Sequence, residues 1–139
     1  MARYLLEEDI SFNFHLIGIS SHYHDYRLCW GINKLLSFDL ERSENEIIIQ
    51  ERKGEELMAF SAFNFLCPES EVMFELIANR NEDGYLIPEM KQADYFLKFD
   101  DFYDDSVSEL IKKLRSITMV NMAFQIDTEN LRSKYNLIY

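Results

Sequence analysis

Shortages in the sequence narrow the field first. Two prolines and four glycines in 139 residues leave little material for a flexible linker. The scattered glycines cannot form a G-x-G-x-x-G fingerprint or a phosphate-binding P-loop, and no G-x-S-x-G occurs. The commonest routes to dinucleotide, nucleotide and serine-hydrolase chemistry are therefore excluded. Cys29 and Cys67 make no C-x-x-C pair and only three histidines are present, so no structural zinc or iron is expected and the cofactor expectation is none. No apolar run reaches membrane-spanning length, and Met1 to Asp9 carries no apolar signal stretch. The expected address is the cytoplasm, with both thiols reduced and buried. Cations are the last shortage. Fourteen Lys and Arg stand against 25 Asp and Glu, giving −11. A field of that sign repels phosphate backbones and anionic lipid, so neither nucleic acid nor membrane is an expected partner.

What is present is core-forming material: 47% hydrophobic and 14% aromatic residues. A length of 139 residues fits one domain, and residues 1–139 are read as such. Ile10 to Ile19 alternates apolar and polar, with Ile10, Phe12, Phe14 and Leu16 to one side, which predicts a half-buried strand. Tyr23 to Leu36 follows as a helix, its stripe formed by Leu28, Cys29, Ile32, Leu35 and Leu36, although Gly31 weakens it. Strands are expected over Glu46–Arg52, Leu57–Leu66, Glu71–Ala78, Ala93–Phe99 and Val120–Ile126, with a turn at Lys53-Gly54 and a loop over Asn79–Gly84. Val107, Leu110, Ile111, Leu114 and Ile117 mark a second helix, with Ser106 and Glu109 as a capping box. Thr128 is placed to cap a short last helix to about Tyr135.

The order is thus β-α-β-β-β-β-α-β. Short links between successive strands imply a mostly antiparallel sheet, and the two amphipathic helices are assigned to one of its faces: a two-layer α+β domain. Met58, Phe60, Met73 and Ile77 would then line an uncovered face. A homodimer through that surface is the expected cover.

Three segments carry possible chemistry. His22-Tyr23-His24-Asp25 contains an H-x-H-D pattern whose imidazoles share a side only if the segment is extended; on a helix they diverge by about 200°. A loop leading into a helix, with Asp25 near the cap, explains these residues equally well, and no metal is assigned. Asp100-Asp101-Phe102-Tyr103-Asp104-Asp105 has carboxylates for a hard cation but lacks the spacing of a calcium loop, and acids before a helix favour its dipole. The third segment is Ile87-Pro88-Glu89-Met90-Lys91-Gln92-Ala93-Asp94-Tyr95. Pro88 fixes its own φ and holds Ile87 extended. Glu89 and Asp94 can then flank one opening as an acid–base pair, or bond loop backbone and pair with Lys91 or Arg80.

The run I-P-E-M-K-Q-A-D-Y resembles the signature of the IPExxxVDY family of small bacterial proteins. The match is Ile87, Pro88, Glu89, Asp94 and Tyr95, with Ala93 in place of the family's Val. The segment Asp25 to Trp30 is also similar to the family, and the length agrees with it. The resemblance implies no activity, substrate or cofactor.

The expected function is a non-enzymatic binding or scaffolding domain that self-associates or binds a protein partner. The alternative is a small-molecule or metal-dependent enzyme using Glu89, Asp94 and His22 or His24. An apolar exposed face would favour the first, and a deep pocket with convergent polar groups near the motif the second.

Overall fold

A computed structural model of the chain describes residues 14–50, 54–100 and 107–139. Among the described residues there are eight strands and two α-helices: β1 (Phe14–Ser20), α1 (Asp25–Leu36), β2 (Glu41–Arg42), β3 (Ile47–Ile49), β4 (Met58–Phe60), β5 (Ala62–Leu66), β6 (Met73–Ala78), β7 (Tyr95–Asp100), α2 (Val107–Arg115) and β8 (Met122–Gln125). Six strands form one sheet in the order β2-β5-β6-β7-β1-β8, and β3 pairs with β4 in a separate hairpin. All these pairings are antiparallel. The α+β class and the mostly antiparallel sheet are as the sequence predicts.

Strand alternation sorts the sheet's side chains into two apolar clusters. One gathers Ile17 and Ile19 of β1, Phe74 and Leu76 of β6, and Leu97 and Phe99 of β7, together with Leu28 and Ile32 of α1 and Leu110 and Leu114 of α2. The register explains the match, since Leu97 lies opposite both Ile17 and Leu76. The other cluster takes the alternate positions Leu16, Ala62, Ile77 and Phe96. Gly18 sits on this side opposite Phe124, and a Cβ there would lie 2.7 Å from that ring. Absence of a side chain is what lets Phe124 cross β1.

Several expectations need correction. The face holding Phe60 and Ile77 is not uncovered. Ile47 and Phe60 of the hairpin, Leu86 and Ile87 of the loop before β7, and Ile126, Leu131 and Leu137 of the C-terminal stretch all pack into that second cluster. Phe60 is 1% exposed and Ile77 is fully buried, so the motive for a homodimer through this surface disappears. The strand expected over Leu57–Leu66 is two strands. Met58–Phe60 pairs with Ile47–Ile49, while Ala62–Leu66 pairs with β2 and β6. The chain changes sheets at Ser61, as strands do at bends. β1 is interior, between β7 and β8, because Ile17, Gly18 and Ile19 are apolar toward both faces. β2 was not predicted, since Glu41 and Arg42 are both exposed on the sheet edge. After Asp127 there are two short 3-10 turns, Thr128–Asn130 and Lys134–Leu137, in place of one helix. Leu131 between them is extended and buried in the second cluster, which interrupts helical winding.

Ile10 to Asn13, Glu51 to Lys53 and Asp101 to Ser106 fall outside the described residues. Cys29 and Cys67 are both free. Cys29 is buried against the Leu40 carbonyl, and burial pushes its thiol up to about 11. Cys67 is only half-buried, contrary to expectation, because it lies just past the end of β5; hydrogen bonding to Ser70 lowers its thiol.

Candidate functional site

The I-P-E-x-x-x-A-D-Y run is a junction. Its organiser is Asn79, one residue beyond β6 and fully buried. Asn79 Oδ1 accepts from the Ile87 N–H at 2.8 Å, and Nδ2 donates to the Met90 and Ala93 carbonyls at 2.9 and 2.8 Å. One amide side chain therefore satisfies three backbone groups of the loop, which is how a buried irregular segment avoids orphaned polar atoms. Within that frame Pro88 begins a 3-10 turn, where its missing N–H costs nothing. Ile87 and Ala93 are buried, so the two apolar positions anchor the loop in the second cluster.

Glu89 leaves this turn toward the C-terminal stretch. Its carboxylate accepts from the Ser133 N–H at 2.7 Å and from the Ser133 hydroxyl at 2.9 Å. Burial alone would raise the carboxyl, but those hydrogen bonds prevail and hold it below its ordinary value. Asp94 acts on the other side. Its Oδ2 accepts from the Ser21 N–H at 2.9 Å, and its Oδ1 meets Arg80 Nε at 3.2 Å. Tyr95 donates its hydroxyl to the Tyr23 carbonyl at 2.6 Å. Burial, with help from the charges of Asp25 and Asp94, pushes that phenol up to about 12. Asp94 and Tyr95 thus fasten the joint between β1 and α1, while Glu89 fastens the C-terminal stretch.

A cleft of about 530 Å³ opens at that joint. His22, His24, Asp25, Ser61, Arg80 and Asp94 contribute to its walls. Glu89 does not, so of the two alternatives the sequence offered the acid–base pair is not assembled, and Asp94 pairs with Arg80 instead. Two of the cleft's carboxylates are held by neighbours: Asp25 accepts from the Ser61 hydroxyl at 2.6 Å, and Asp94 is bound as described. His22 and His24 precede the helix, and His24 is its extended N-cap residue. Among the described residues, no three His, Cys, Asp or Glu side chains converge in a way that could hold a metal ion.

The outer face of α1 is of a different kind. Tyr23, just before the helix, and Tyr26 and Trp30 within it are 47%, 67% and 50% exposed. Tyr26 and Trp30, four residues apart, share one side of the helix, and Tyr23 lies in the bend just before it. Arg27 and Lys34 lie over the Trp30 ring, each 5.0 Å from its centroid. Beside this row runs a shallow groove of about 400 Å³ lined by Trp30, Gly31, Lys34, Leu35, Ile117 and Met119. At Gly31 a Cβ would meet Met119 Cε at 2.5 Å, so the Met119 side chain packs directly on the helix backbone there. Leu35, expected in the core, is 45% exposed on this groove.

Sequence reasoning found the motif but missed Asn79 and Ser133, which are ordinary polar residues in polar surroundings. The α1 row had a visible signal, since the helical period that sends Leu28, Cys29 and Ile32 inward leaves Tyr26 and Trp30 outside. No protein-family model matches the chain, and no curated protein is similar to it.

Proposed function

We propose that the protein is a non-enzymatic binding domain that docks a protein partner on the outer face of α1. One observation carries the reading: a helix face that should be polar presents Tyr23, Tyr26 and Trp30 to solvent, with Arg27 and Lys34 against the indole. Tryptophan, tyrosine and arginine are the residue types that dominate binding energy at interfaces. The motif fits the reading, because Glu89, Asp94 and Tyr95 are each engaged in joining segments of the fold. Membership of the IPExxxVDY family is proposed on the same motif residues, and under it the signature would mark a fold-determining junction. The proposed address is the cytoplasm; no helix among the described residues is long and apolar enough to cross a membrane.

A photo-crosslinking amino acid placed at Tyr26, in the protein expressed in its own host, tests this. A discrete protein adduct is expected from position 26 and none from Lys91, which is exposed but outside the α1 row. Absence of an adduct at position 26 contradicts the reading.

A further inference from the structure

The chemistry of the α1 face narrows the partner. The chain carries −11 overall, yet α1 and α2 together hold five cations, Arg27, Lys34, Lys112, Lys113 and Arg115, against the two carboxylates Asp25 and Glu109. Among the described residues neither Arg27 nor Lys34 is ion-paired; each rests on the Trp30 ring. The groove beside them has no carboxylate on its walls and is lined by Leu35, Ile117 and Met119, with Met119 Cε packed on Gly31. An apolar groove with Lys34 on its wall and Arg27 over the adjoining Trp30 ring is complementary to a segment that alternates carboxylates with apolar anchors. Resting on the reading of α1 as a docking face, we infer that the partner presents an acidic peptide segment with aromatic or aliphatic anchors, its carboxylates on Arg27 and Lys34 and an anchor in the groove.

Two physical points select a peptide over a nucleic acid, which would also seek cations and aromatics. The overall charge opposes every polyanion, but it opposes a short segment with few carboxylates less than a polyphosphate charged at every nucleotide. Arg27 and Lys34 also occupy the indole surface that a base would need for stacking, whereas a carboxylate meets them where they stand. Both cations are exposed, so their attraction is screened by salt.

Fluorescence anisotropy of dye-labelled peptides against the intact protein tests the inference. The probes are short repeats of Glu-Glu-Phe, Ser-Ser-Phe and Lys-Lys-Phe, with oligouridylate as the nucleic-acid probe. Only the Glu-Glu-Phe peptide is expected to bind, more weakly as salt rises. The double variant Arg27→Glu/Lys34→Glu should weaken it by about tenfold or more, the scale of two lost charge contacts. Lys91→Glu/Arg132→Glu makes the same change in net charge at exposed sites elsewhere and should bind like the wild type. Circular dichroism confirms that each variant is folded. Equal binding by both double variants, no binding of the acidic peptide, or preferential binding of oligouridylate overturns the inference. An adduct at position 26 together with no acidic-peptide binding would leave the docking face standing and the partner's chemistry wrong. No adduct at position 26 would remove the docking face itself.

Discussion

Glu89 and Ser133, 44 residues apart in the chain, are joined twice, through the serine N–H and through its hydroxyl. This contact holds the C-terminal stretch against the sheet. Hydrogen bonds to a charged group each contribute about 1.5–3 kcal/mol, so Glu89→Gln should destabilise by about 2 kcal/mol at neutral pH. The folded carboxyl lies below its ordinary value of 4.5, so its contribution is complete above that value and is lost as pH falls through the folded value. Urea unfolding of wild type and variant should show a gap at about pH 7 that is smaller once the pH is taken below the folded value. A gap that is the same at both pH values would contradict the assignment.

Asn79→Ala should be more damaging than Glu89→Gln. It leaves the buried Ile87 N–H and the Met90 and Ala93 carbonyls without their side-chain partner. At about 1–3 kcal/mol for a buried group so abandoned, with some relaxation, a loss of about 3 kcal/mol is expected. Thermal unfolding should fall by about 10 °C for a domain of this size. Asn79→Asp should fare little better, since it supplies no donor for the two carbonyls.

Tyr95 sets an alkaline limit. Its folded phenol is raised to about 12, so the stability it provides is complete below the unfolded value of about 10 and is lost as pH rises through the folded value. Tyr95→Phe should cost about 1 kcal/mol near neutrality, for the lost bond to the Tyr23 carbonyl, and should flatten the alkaline decline. Stability measured from about pH 8 to pH 11 checks this.

Phe60 distinguishes a self-covered sheet from an open one. Because Phe60 is packed inside its own chain, Phe60→Asp buries a charge and should prevent folding rather than alter association. Ile48, on the paired strand of the same hairpin, is 60% exposed, and Ile48→Asp should leave the fold intact. Soluble, folded Phe60→Asp would show that the hairpin does not seal this face.

The parts of this fold that could be read from sequence are those governed by local periodicity. The α2 stripe from Val107 to Ile117 and the inward positions of α1 follow directly from the helical repeat, and Leu110, Ile111, Leu114 and Ile117 are buried. What could not be read depends on long-range geometry. Phe60 and Ala62 belong to the same cluster while their strands belong to different sheets, and nothing in the alternation of Leu57 to Leu66 signals the change at Ser61. The motif was visible as a pattern, but the role of Glu89 depends on Ser133, and that of Ile87 on Asn79. Asp94 was legible in part, because Arg80 was among its expected partners and is the one it meets. The exposed row on α1 required only the helical period and the identity of Trp30, the single tryptophan of the chain.

A docking face on α1 requires Tyr26 and Trp30 to be covered by a partner in the cell. Hydroxyl-radical footprinting, read residue by residue in purified protein and in intact host cells, measures that cover. Tyr135 is 48% exposed, close to the 50% of Trp30, and serves as the internal reference. Oxidation of Trp30 and Tyr26 relative to Tyr135 should fall severalfold in cells; equal ratios in the two settings would contradict the account.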